Sequence, residues 1–131
     1  MATKAIFIDV TNRKFENVSF NSFDEIYKII GNDCDTFAAP IIFENNDAIF
    51  IDDEGFFHDV PGGFIMEGWS YPLVGNGLII GGDDEGNSKD VTYTIEWCEE
   101  NIDFVSKEKA QEWVEIAKSQ PARIINLDDL L

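Results

Sequence analysis

The chain of 131 residues sets 26 Asp and Glu against 9 Lys and Arg, a formal net charge of −17, yet 44% of it is apolar and it holds three Trp, three Tyr and eleven Phe. That length and apolar content fit a single domain over residues 1–131 with a real core, and they exclude intrinsic disorder despite the charge. So negative a surface repels phosphate backbones and anionic lipid, which argues against nucleic acid or membrane as a direct partner, and no apolar run nears the roughly 20 residues of a membrane span.

Lys4 to Val10 is β-branched and aromatic, Thr11-Asn12-Arg13-Lys14 offers a turn, and Phe15 to Phe20 alternates, so the chain opens on a β-hairpin. No charged and apolar leader precedes this strand, and the expected setting is the cytoplasm. Ser22 and Glu25 stand at capping-box spacing, and Phe23, Ile26, Tyr27 and Ile30 share one helical face before Gly31, which predicts a helix over 23–30. Phe37 to Phe43 is apolar but holds Pro40, the mark of an edge strand or a bulge. A polar turn at Glu44-Asn45-Asn46-Asp47 leads to a strand from Ala48 to Asp52, and the Asp53-Glu54-Gly55 turn leads to Phe56-Phe57. Pro61-Gly62-Gly63 breaks the chain, Phe64 to Trp69 reads as either element, and Tyr71 to Val74 with Leu78 to Ile80 predicts a further hairpin around Gly75-Asn76-Gly77. After the solvated loop Gly81 to Asn87, Val91, Tyr93, Ile95 and Trp97 alternate with polar residues, which predicts a strand with a helix as the competitor. Ser106 caps a second helix over 107–119, with Ala110, Trp113, Val114 and Ala117 on its buried face and Pro121 ending it. A short acidic tail, 122–131, closes the chain. The expected class is α+β: an antiparallel sheet built from hairpins with two helices on it.

The run Ala48-Ile49-Phe50-Ile51-Asp52-Asp53-Glu54-Gly55, the break at Pro61 and Leu78-Ile79-Ile80-Gly81 with its acidic loop resemble an uncharacterised family of small domains of unknown function carried by bacteriophages and conjugative elements. The resemblance covers about residues 4–86, and the chain departs from it at Gly62-Gly63-Phe64, where the family pattern is polar. It implies a mobile-element product acting in a bacterial cytoplasm. It implies no functional residues.

Chemistry is sparse. Setting Gly55 at the invariant glycine of a calcium loop puts Phe50 first and Pro61 last, and Gly86 fares no better because Gly81 would come first. Asp52, Asp53, Glu54, His58 and Asp59 read as a solvated turn rather than a divalent site, and one His with two acid-flanked Cys makes no zinc set. Cys34 and Cys98 read as plain thiols of a reducing compartment. Every nucleophilic triad would have to pass through His58, no nucleophile elbow is present, and the glycine pairs lack the helix that a phosphate cradle needs. No cofactor or metal is expected.

The charge distribution is what stands out. Residues 44 to 90 hold 11 acids against one base, whereas residues 1 to 43 hold 6 against 4 and residues 91 to 131 hold 9 against 4. Solubility of a small domain needs a net charge of only about 2 to 8. Carboxylates two residues apart on a strand lie about 7 Å apart, near the phosphate spacing of one DNA strand. The leading expectation is therefore a non-enzymatic inhibitor of a bacterial host or defence protein, which presents Asp47, Asp52, Asp53, Glu54, Asp59, Asp83, Asp84 and Glu85 to a basic, nucleic-acid-binding surface. The alternative is a protein that sequesters a small nucleotide-like signalling molecule between Phe64, Trp69 and Tyr71, shared across an oligomer interface. A small carboxylate-based hydrolase is the third reading.

Overall fold

The computed structural model describes residues 2–30, 37–52, 62–69, 72–85 and 87–118. Cys34, Asp53, Glu54, Phe56, Phe57, His58, Asp59, Tyr71 and the tail 122–131 lie outside the described residues, as do the side chains of Phe23 and Ala117.

Strand β1 (Thr3–Asp9) turns through Arg13, which takes a left-handed φ of 56°, into β2 (Lys14–Phe20), the expected hairpin. Asp9 holds that turn by accepting from the backbone N–H and the side-chain amide of Asn12 at 3.1 and 2.9 Å. Helix α1 (Phe23–Ile30) follows, and the Glu25 carboxylate reaches back to the backbone N–H of Asn21, a capping contact displaced by one residue from the capping-box pattern. β3 (Phe37–Ile42) and β4 (Ala48–Asp52) form the next hairpin, and its register slips between Ala38 and Ile41, where Pro40 has no N–H to give. β5 (Gly63–Met66), β6 (Leu73–Val74), β7 (Gly77–Gly82) and β8 (Ser88–Lys89) come next, then α2 (Ile95–Asn101), β9 (Ile102–Val105) and α3 (Lys107–Lys118).

The strands make two antiparallel sheets, one in the order β2-β1-β7-β4-β3 with β8 beside β7, the other β6-β5-β9. Both faces of the larger sheet are covered. Ile6, Ile8, Ile49 and Ile79 face the second sheet and join Phe64, Met66, Leu73, Cys98 and Ile102 in one core. Ala5, Phe20, Leu78 and Ile80 pack beneath Ile26 and Ile30 of α1 on the other side. That double burial is why β1, β4 and β7 read as almost unbroken apolar runs rather than as alternating strands. Helix α3 starts as expected, with the Lys109 N–H donating to Ser106 Oγ at 3.1 Å, and its Ala110 and Val114 pack on Val74.

Two expectations are corrected. The hairpin over 71–80 does not form: β6 pairs with β5 in the smaller sheet while β7 runs between β1 and β4 in the larger one. Glycine decides part of this, because a Cβ on Gly77 would stand 2.8 Å from Phe64 Cζ; β7 can lie over that ring only without a side chain there. The strand over 91–97 is instead a short approach followed by α2, which adds a third helix to the two expected. The architecture is α+β. Among the described residues no helix is long and apolar enough to cross a membrane.

Candidate functional site

The β3–β4 turn, residues 43–47, is the hub of one end of the larger sheet. Its own geometry is tightly defined: the Phe43 N–H donates to the Asp47 carbonyl at 2.8 Å, the Asn46 N–H to the Phe43 carbonyl at 2.9 Å, and the Asp47 N–H to Asn45 Oδ1 at 2.9 Å. Asn46 takes φ 73°, a left-handed conformation that Asn tolerates better than most residues. From this turn one arm reaches the acidic loop after β7 and the other reaches the segment before α2.

In the first arm, the Asn46 amide donates to Asp84 Oδ1 at 3.2 Å. The loop is held from within by Asp83, whose carboxylate accepts from the backbone N–H groups of Asn87 and Glu85 at 2.8 and 2.9 Å. The Asn87 N–H, against some opposing desolvation and with help from the Glu85 N–H and the Asn87 amide, holds the Asp83 carboxyl below its usual range. Asp84 and Glu85 are exposed. Asp83 thus ties together the backbone of a loop that carries three consecutive acids.

In the second arm, Asp47 is fully buried and its side chain spans a gap that backbone alone would leave open. Both of its oxygens accept from the Thr92 N–H, at 3.0 and 3.1 Å, and Oδ2 also accepts from the Tyr93 N–H at 2.9 Å. Two backbone donors that a strand would have paired in a ladder are satisfied by one carboxylate, and the chain is released to begin a helix two residues later. Thr94 then caps α2, accepting from the Trp97 N–H at 3.2 Å. The alternation that predicts a strand survives as alternating exposure along 91–97, produced by the approach and the first helical turn together.

This arrangement builds an aromatic cluster that sequence reasoning did not single out. Tyr93 and Trp97 stack with ring centroids 3.7 Å apart and planes 10° from parallel. Phe43 meets both edge-on, at 5.1 Å from Tyr93 and 5.5 Å from Trp97. All three are half-buried. Burial, with the Asp47 and Glu44 carboxylates nearby, pushes the Tyr93 phenol above its usual range. Spacing of four between Tyr93 and Trp97 was the available signal, and the period-two alternation masked it.

The expected acidic residues divide. Asp83, Asp84 and Glu85 share one turn at this end of the sheet. Asp47 stands beside them in the chain's path but faces inward, and Asp52 at the end of β4 is only 6% exposed, so neither belongs to a solvent-facing row. For Asp47 the reason is that it sits at a strand end where buried backbone needs an acceptor more than the surface needs a charge. Asp53, Glu54 and Asp59 lie outside the described residues.

The aromatic pocket expected for a nucleotide-like ligand is also revised. Phe64 is fully buried under Gly77 and shows no face to a ligand, Trp69 is half-buried against the main core, and Tyr71 lies outside the described residues. Cys98 is buried in the same core, and burial, with Glu99 and Asp47 adding to it, pushes its thiol up to about 12. Among the described residues no group of three or more His, Cys, Asp or Glu is placed to hold a metal ion. No family model matches the chain, and no curated protein or solved structure matches it either.

Proposed function

We propose that this chain is a non-catalytic inhibitor from a mobile element that binds a basic, nucleic-acid-binding surface of a bacterial protein. The observation that carries the reading is negative charge left without partners: the net charge is −17, and among the described residues the ion pair formed is Lys14 with Glu16, at 3.9 Å between exposed side chains. Among the described residues the carboxylates of Glu44, Glu67, Glu96, Glu99, Glu100 and Glu112 are exposed and have neither a hydrogen-bond nor an ion-pair partner, whereas Asp47, which serves the fold, is buried and bonded. Self-repulsion on this scale costs stability, and a basic partner surface relieves it. The loop of Asp83, Asp84 and Glu85 supports the reading further, because its internal hydrogen bonds tie together the backbone that carries the charges.

The test is capture from a bacterial lysate at low salt, elution along a salt gradient, and identification by mass, followed by competition of the captured protein with duplex DNA. A partner that DNA displaces, and whose retention falls steeply with salt, supports the reading. A partner held equally at all salt concentrations, or one indifferent to nucleic acid, overturns it.

A further inference from the structure

We infer that the Tyr93–Trp97 stack, edged by Phe43, is the seat of an arginine side chain from the basic partner. This rests on the binding role proposed above and names the contact that makes it specific.

Tyr93 and Trp97 are half-buried, Trp97 against the main core, so the stack meets solvent over part of its surface on a strongly acidic chain. Glu44 on the hub turn is exposed and close enough for its charge to act on Tyr93, and Glu96 and Glu100 are exposed on α2, the helix that carries Trp97. Within α2, Trp97 and Glu100 stand three residues apart and share a face, and Tyr93, which precedes the Thr94 cap, joins that face through its stack on Trp97. Ring faces carry negative potential, and a guanidinium both stacks on them and forks its donors to neighbouring carboxylates; an ammonium does only the first well. Loop charges alone would attract any basic surface. A preset ring stack beside carboxylates selects for arginine.

The stack is also positioned in advance. Asp47 fixes the backbone of Thr92 and Tyr93, Thr94 fixes the first turn of α2, and Phe43 closes the side, so an incoming side chain need not order the rings. Asp47 is here a positioning residue, not a contact.

The experiment titrates the full chain with a short capped arginine peptide, and separately with a lysine peptide of equal charge, following Tyr93 ring and Trp97 indole signals by NMR. The indole is assigned by its loss in Trp97→Phe. The expected result is saturable shifts at Tyr93 and Trp97, larger and tighter for arginine, with part of the affinity surviving high salt. Tyr93→Leu, which changes no charge, should weaken arginine binding about three- to tenfold, and Tyr93→Phe should stay within about twofold of the parent. Equal binding of both peptides, with shifts confined to Asp83, Asp84 and Glu85, overturns the inference even where Tyr93→Leu fails to fold. A DNA-displaced partner that survives Tyr93→Leu at full affinity but is lost on neutralising the loop refutes the arginine seat alone, whereas a captured partner indifferent to DNA and to salt refutes the binding role.

Discussion

Asp47 is buried and holds two backbone donors. Asp47→Ala therefore strands the N–H groups of Thr92 and Tyr93, and the expected loss is about 2 to 4 kcal/mol, read as a lower urea midpoint with an unchanged slope. Asp83→Asn is the contrast, since its carboxylate bonds within an exposed loop; its midpoint should stay close to that of the parent. Cys98 gives a second prediction at this scale. Its thiol has an ordinary value of 9.0 and is pushed up to about 12 in the fold, chiefly by burial, so the unfolded chain ionises first as pH rises. Stability is unaffected by this group below about 9 and falls between about 9 and about 12, because deprotonation favours the unfolded state. Accordingly the thiol should resist an alkylating reagent at neutral and mildly alkaline pH and react at the rate of unfolding; rapid labelling of the native protein would contradict its placement.

Among the elements, α2 depends most on local chemistry. It has seven residues, too few for propensity to sustain, and Thr94 caps its first turn. Thr94→Ala should cost about 1 kcal/mol, with the loss appearing as faster amide exchange along 95–98. β7 offers the opposite kind of test, a site where less is required. Gly77→Ala sets a methyl 2.8 Å from the Phe64 ring, and overpacking of that kind costs about 1 to 3 kcal/mol. Pairing with Phe64→Leu should recover part of that loss if the clash, rather than backbone freedom, is the cause. The missed hairpin at 71–80 belongs to this scale too. Gly75-Asn76-Gly77 is good turn chemistry, yet the Asn76 side chain accepts from the Val10 N–H and donates to the Ile30 carbonyl, tying β1 to the end of α1 instead of closing a local turn. Contacts 66 and 46 residues away in sequence outweighed the local preference.

For the whole molecule, charge is the dominant quantity and its arrangement the open variable. Asp83→Asn, Asp84→Asn and Glu85→Gln together should leave the fold intact, weaken binding to a basic partner markedly and flatten its salt dependence. Glu108, Glu112 and Glu115 changed to Gln on α3 remove as much charge from another face and should matter less. Equal effects from both sets would mean that net charge alone attracts the partner. Asp52 is unsuitable for such a set, since it is buried, and its substitution would confound binding with stability.

Composition and periodicity by themselves determined the α+β class, the first hairpin, α1, the bulged β3–β4 pair and the capped α3, because each is dictated by neighbours within a few residues. Tertiary structure alone decided three matters. It placed β6 and β7 in different sheets, since strand partners are chosen by core burial on both faces rather than by the nearest turn. It turned 91–97 from a strand into an approach and a helix, since the acceptor for Thr92 and Tyr93 is Asp47, 45 and 46 residues away. And it sorted the acids into inward acceptors and outward charges, a distinction no sequence count carries, because a carboxylate's role depends on whether water or a backbone N–H stands in front of it.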